Sequence, residues 1–190
     1  VVPYYNKPPQ EGIYQYYKAV AAATQKPVVL YNVPGRTGVN MTAQTTLRLA
    51  EIDNIVAVKE ASGKRDQILE ILEKRPEGFA VLSGNDDETF DLMRNGAEGV
   101  ISVASNLTPS MVSDLAHNML EGKVAEAEAL HMKLLPLFRN CFVESNPIPA
   151  KAATAAIGYG DNYVRLPLTT MEPENEAKMR VLMREQGLNV

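Results

Sequence analysis

The stretch Ile55-Val56-Ala57-Val58-Lys59-Glu60-Ala61-Ser62-Gly63 decides how the rest of the chain is read. Four apolar or β-branched residues in succession describe a strand buried on both faces, the kind found in parallel sheets. A lysine at the end of such a run must meet something polar or lose its charge, because desolvation favours the neutral amine. A neutral amine adds to a ketone or aldehyde to give a Schiff base, so Lys59 points to carbonyl chemistry. The alternative is an ordinary surface lysine closing a strand. The neighbouring segments decide between them.

Working outward, the same cycle of helix and strand recurs. Gln10 to Thr24 has helical composition and is followed by the β-rich Pro27 to Tyr31. Thr42 can cap a helix through Ala50 ahead of the strand Ile55 to Lys59, and Arg65 to Lys74 carries Ile68, Leu69, Ile71 and Leu72 at helical spacing. Phe79 to Gly84 reads as a strand, Asp86 to Asn95 as a helix stopped by Gly96, and Gly99 to Val103 as another strand. The opening Val1-Val2-Pro3-Tyr4-Tyr5 reads as the tail of a strand, so the chain begins in mid-element. Strands separated by single helices imply right-handed parallel βαβ units, in an open doubly wound sheet or a barrel. After this the rhythm changes: Pro109 to Glu121, Val124 to Asn140, Pro149 to Ile157 and Glu174 to Gln186 all read as helices. The expected division is residues 1–122 as a partial barrel carrying the lysine and 123–190 as a helical region, with the boundary near Gly122-Lys123.

Composition excludes several classes. The 190 residues are 45% hydrophobic, enough for one sizeable core, and the net charge of -4 with no basic run argues against a nucleic-acid partner. No apolar stretch reaches the roughly 18 residues of a membrane helix. A single cysteine, Cys141, suits a reducing compartment, and the cytoplasm is the default location. His117 and His131 fall on separate helices away from the strand ends and read as structural, so no metal site is expected. Asp86-Asp87-Glu88 opens a helix and reads as capping that complements the dipole.

In parallel α/β barrels the chemistry gathers at the carboxyl ends of the strands. Here those ends carry Tyr4 and Tyr5, Tyr31-Asn32, Lys59-Glu60, Ser83-Gly84 and Ser102. A tyrosine beside a Schiff-base lysine can donate and accept the protons that carbinolamine formation and loss require, and Tyr31 is the better placed candidate. Packing of its ring in the barrel mouth is the competing reading.

Tyr31-Asn32-Val33-Pro34-Gly35-Arg36-Thr37-Gly38, followed by Val58-Lys59-Glu60-Ala61-Ser62-Gly63, carries a family resemblance. Pro3-Tyr4-Tyr5-Asn6-Lys7-Pro8, Leu82-Ser83-Gly84-Asn85-Asp86, Gly99-Val100-Ile101-Ser102 and Phe142 to Pro149 fall in the same order. The chain resembles the dihydrodipicolinate synthases (4-hydroxy-tetrahydrodipicolinate synthases), class I pyruvate aldolases of lysine biosynthesis related to N-acetylneuraminate lyase. The resemblance implies a TIM (β/α)8 barrel of which this chain supplies about five βα units, strands 4 to 8, with a carboxyl-terminal helical extension. It implies that Lys59 forms the imine with pyruvate, that Tyr31 shuttles protons and positions the pyruvyl carboxylate, and that Tyr5 completes a proton relay in a neighbouring subunit. Arg36 would bind the carboxylate of aspartate semialdehyde, for which a guanidinium fork is suited, and Gly84 and the carbonyl of Ile101 would line the pocket. The family needs no cofactor or metal and is usually a homotetramer of tight dimers. Because the family's earlier strands carry part of its relay, a chain lacking them is expected to be inactive alone. A 2-keto-sugar-acid aldolase of the same superfamily is the alternative activity.

Overall fold

The computed structural model describes residues 1–190, which pack as two compact units, Val1–Ile101 and Ser102–Val190. The first unit holds α1 (Gln10–Ala22), β1 (Val28–Asn32), α2 (Pro34–Thr37), α3 (Ala43–Ala50), β2 (Ile55–Glu60), α4 (Arg65–Lys74), β3 (Ala80–Ser83), α5 (Thr89–Arg94) and β4 (Gly99–Val100). The second holds α6 (Pro109–Leu120), α7 (Val124–Asn140), α8 (Ile148–Ala156) and α9 (Pro173–Glu185). Gly122 and Lys123, where the sequence suggests a boundary, form the turn between α6 and α7, which pack on one another. No helix is long and apolar enough to cross a membrane.

The sheet of the first unit is wholly parallel, in the order β1-β2-β3-β4. In a parallel ladder, paired residues project to the same face, so the register sorts the side chains. Leu30, Val58 and Val81 form one row and are fully buried. Ile68 and Ile71 of α4 and Leu49 of α3 are also fully buried, and α3 packs against β2 and α4. Sealing each such side chain from water stabilises the fold by about 1.5–3 kcal/mol. Thr42 caps α3, its hydroxyl accepting the Thr45 N–H at 3.3 Å. The opposite face is more open: Val29 is 44% exposed while its neighbour Leu30 is at 0%.

The sheet differs from expectation in its strand count, which is four rather than five. Val1 to Tyr5 form no strand, although the Val2 N–H donates to the Tyr31 carbonyl at 3.0 Å. Pro3 has no N–H to continue a ladder, and Tyr5 (φ +64°) and Lys7 (φ +47°) turn the backbone out of the extended region. The last strand is also shorter than its sequence implies. Ile101 still donates its N–H to Ser83 O at 2.9 Å, but Ser102 then accepts the Ser105 N–H on its hydroxyl at 2.8 Å and diverts the chain into a 3-10 turn at Ala104–Asn106. Asp86 to Glu88 form a 3-10 turn before α5 rather than its first α-helical turn.

In the second unit, α7 packs against α6 and α9, and α8 against α9. Leu134, Leu137, Phe138, Cys141, Met179 and Met183 form its buried interior. The Cys141 thiol is a packed side chain there.

Candidate active site

At the carboxyl end of the sheet, the open face presents the row Tyr31, Lys59, Leu82 and, one strand further, Gly99, all in register. The pairing brings Lys59 Nζ to 4.3 Å from the centre of the Tyr31 ring. Both side chains are partly buried, and both titrations respond. Burial pulls the Lys59 ammonium below the ordinary lysine range, an effect opposed by the nearby Asp86 carboxylate. Burial pushes the Tyr31 phenol up, an effect opposed by the positive charge of Arg36. The pair therefore joins an amine with an increased neutral fraction to a phenol that keeps its proton. Those are the states a nucleophile and a proton donor need.

Gly84 supplies the room. A Cβ there would stand 2.7 Å from Ala61 Cβ, 3.0 Å from Lys59 Cε and 3.1 Å from the Glu60 carbonyl. The first of these is a clash of two main-chain-anchored atoms, and the second is the stem of the amine itself. The close approach is held by the Gly84 N–H, which donates to Glu60 O at 2.7 Å. Ile101 ends the neighbouring edge, 43% exposed.

Arg36 lies on α2, a single turn begun by Pro34 and closed by Gly38 in the left-handed region at φ +73°. The Gly38 N–H donates to Pro34 O at 2.9 Å, and the Thr37 hydroxyl donates to Val39 O at 2.8 Å. This tight turn follows directly on β1, so the guanidinium is carried on an exposed loop whose charge is felt at Tyr31. Tyr5 is 88% exposed and directs its ring to solvent, with Tyr4 beside it at 67%. His117 and His131 lie on α6 and α7 of the other unit. A cleft of about 280 Å³ at the amino-terminal end of the sheet, bounded by Asp53, Ile55, Pro76 and Phe79, is at the opposite end from the lysine.

Two features escaped sequence reasoning. Asp86, read as a helix cap, is 2% exposed and is the carboxylate whose charge acts on Lys59. Its signal was only the proximity of Leu82-Ser83-Gly84 to a strand end. Asn32, Glu60 and Ser83, grouped with the strand-exit residues, are at 0% exposure on the covered face, because the pleat alternates.

The chain matches the model of the dihydrodipicolinate synthetase family over residues 1–186. It is 47% identical over 187 residues to the 4-hydroxy-tetrahydrodipicolinate synthase of Neisseria meningitidis, an alignment covering 98% of this chain and 64% of that protein. To the protein of the same name from Parabacteroides distasonis it is 50% identical over 189 residues, covering 99% and 64%. Among solved structures, dihydrodipicolinate synthase from Aquifex aeolicus superposes with a TM-score of 0.96 at 45% identity, covering 98% of this chain and 64% of that one. The chain thus spans less than two thirds of the length of these relatives. A family match over nearly every residue, on a parallel sheet that sets a lysine beside a tyrosine at its carboxyl end, makes this chain a member of the dihydrodipicolinate synthetase family.

Proposed function

We propose that the chain carries the imine-forming half of a pyruvate aldolase that condenses pyruvate with L-aspartate 4-semialdehyde to give 4-hydroxy-tetrahydrodipicolinate in lysine (diaminopimelate) biosynthesis. The observation that carries the reading is the Lys59 Nζ at 4.3 Å from the Tyr31 ring, on the open face of the sheet. The neutral amine adds its lone pair to the keto carbon of pyruvate, the carbonyl π electrons pass to oxygen, and that oxygen takes a proton. Tyr31 is assigned this transfer, regaining its proton from the attacking nitrogen, and then the second protonation, which expels the oxygen as water and leaves the protonated imine. The Tyr31 phenolate left by that step takes a methyl proton to give the enamine. The enamine carbon attacks the aldehyde of the second substrate while the phenol returns the proton to the new alkoxide. The amino group of that substrate then adds to the imine carbon and displaces the lysine amine, closing the ring. No step calls on a cofactor or metal.

Arg36 is assigned to the semialdehyde carboxylate, and the exposure of its turn beside Tyr31 supports that role. Gly84 and the Ile101 carbonyl are assigned to the pocket wall. Tyr5, with its outward ring, is assigned to a relay completed across an interface with a second copy, so the assembly we propose is a homo-oligomer. A cytoplasmic setting accords with the one buried thiol, Cys141.

The test is steady-state condensation, with each substrate varied in turn, by this chain joined to the preceding barrel strands of a family member, since the chain covers only 64% of the Neisseria meningitidis relative. Arg36→Ala is expected to raise KM for aspartate semialdehyde about tenfold or more, in line with loss of a charge-assisted hydrogen-bond pair, while KM for pyruvate stays unchanged. Equal kinetics for the two proteins, or a loss confined to pyruvate, would overturn the substrate assignment.

A further inference from the structure

Glu60 follows the lysine in sequence, is at 0% exposure, and the partners seen around its carboxylate are all donors. Oε1 accepts from Asn32 Nδ2 at 3.0 Å and from the Ser62 N–H at 2.9 Å. Oε2 accepts from Asn32 Nδ2 at 3.2 Å and from Gln67 Nε2 at 3.3 Å. The two amides cannot be turned around. Asn32 Oδ1 accepts the Met41 N–H at 3.0 Å, and only an oxygen can face that donor. Its Nδ2 is therefore committed to Glu60, to Asn40 Oδ1 at 3.0 Å and to Met41 O at 3.2 Å. Gln67 is fixed similarly: Oε1 accepts from Asn40 Nδ2 at 2.8 Å, and Nε2 donates to Met41 O at 3.1 Å. An amide at position 60 would have to aim its own NH2 at one of these donors, leaving buried polar groups unpaired.

The network sits where the backbone ladder stops. The last bonds joining these strand ends are Ala61 N–H to Asn32 O at 2.9 Å and Gly84 N–H to Glu60 O at 2.7 Å. Asn32 and Glu60 are register partners, each one residue beyond the register partners Tyr31 and Lys59. A side-chain link between Asn32 and Glu60 on the covered face therefore restrains the separation of Tyr31 and Lys59 on the open face. We infer that Glu60 is a positioning residue whose carboxylate, by gathering Asn32, Ser62 and Gln67 beneath the sheet, holds the Lys59 amine against the Tyr31 ring. The functional meaning of that hold rests on the reading of Lys59 as the imine-forming group. The hold itself does not, and it can be measured without substrate.

The experiment is reductive methylation of the chain's lysines, followed by mass spectrometry across pH 7 to 10 and repeated for Glu60→Gln and Glu60→Asp. In the native protein the reactivity of Lys59 relative to exposed Lys26 is greatest at the low end of the range, because burial favours the neutral form of the Lys59 amine. In folded Glu60→Gln the Lys59 to Lys26 ratio at pH 8 is expected to fall roughly threefold or more as the strand ends part and water reaches the amine. Glu60→Asp, which keeps the charge, recovers part of it. If Glu60→Gln does not fold, Gln67→Met, at the half-buried edge of the network, removes one of the carboxylate's donors together with the Asn40 and Met41 contacts, leaves Asn32 and Ser62 on Glu60, and carries the same readout with a smaller change. An unchanged ratio in folded Glu60→Gln, or in Gln67→Met where that variant stands in, overturns the inference. Pyruvate with borohydride is run in parallel. If native protein gains no adduct, the reading of Lys59 as imine former falls, while the methylation ratio still decides the role of Glu60.

Discussion

Lys59 and Glu60 are neighbours in sequence and opposites in environment. The lysine stands on the open face with a tyrosine ring and a partly shielded amine; the glutamate stands on the covered face, sealed and surrounded by donors. The pleat alone produces the separation. It places the amine we propose as imine former where small molecules can enter, and the carboxylate we propose as its support where they cannot. The same division runs along β1, with Val29 and Tyr31 on one side and Leu30 and Asn32 on the other. The open face is where chemistry is possible, and the covered face supplies the stability and the alignment.

The largest effect on stability tests that contrast in one strand. Leu30→Ala removes a fully buried side chain and is expected to cost about 2–5 kcal/mol by urea unfolding, whereas Val29→Ala, on the open face, should cost under about 1 kcal/mol. Comparable losses would mean that the open face is as tightly packed as the covered one. Next in size is Gly84→Ala, which forces a methyl against Ala61 and the Lys59 stem and should cost about 1–3 kcal/mol. Because the strain falls on the lysine, the variant should also form pyruvyl adduct more slowly than native protein at a temperature where both are folded. Normal labelling would show that the amine is not confined by that wall.

A smaller effect concerns pH. Burial raises the Glu60 carboxyl above the ordinary carboxylate range, and its hydrogen bonds from Asn32, Ser62 and Gln67 offset this only in part. The folded protein thus holds that proton more tightly than the unfolded chain. Its contribution to stability is complete below the unfolded value and is lost as pH rises through the folded value. Glu60→Gln abolishes this component, so its unfolding free energy should decline less between pH 4 and 7 than that of native protein. An equal or steeper decline would place the folded value at or below the ordinary one. Smallest of all is the Arg65–Asp91 pair, a two-pronged but exposed contact at 2.6 and 3.1 Å away from both faces of the comparison. Arg65→Ala should change stability by less than about 1 kcal/mol.

Much of the fold could be read from residue patterns. The limits of α4 at Arg65 and Lys74 and of α7 at Val124 and Asn140 coincide with those of the sequence reading, because their apolar spacing and flanking breakers agree. The strand Ile55 to Lys59 was visible for the same reason and differs only by Glu60. Val1 to Tyr5 misled because β-branched and aromatic letters say nothing of hydrogen-bond supply, which Pro3 and the positive φ of Tyr5 withdraw. At the candidate site, Lys59 and Tyr31 were legible as strand ends, and register placed them together. The Asn32–Glu60–Gln67 network was not, since its members are 28 and 7 residues apart and meet only when α4 folds beneath β2. Asp86 was hidden for a similar reason: a local acidic run looks like a cap until a 3-10 turn buries its first member near an amine.

The central claim is that the amine on the open face is the nucleophile. Incubation with pyruvate, borohydride reduction, digestion and peptide mass spectrometry test it directly, with Lys59→Met as the control. A reduced pyruvyl adduct is expected on the peptide containing Lys59 and none on that peptide in the variant. Native protein that stays unlabelled at Lys59, or that labels equally on exposed lysines such as Lys26, would contradict it.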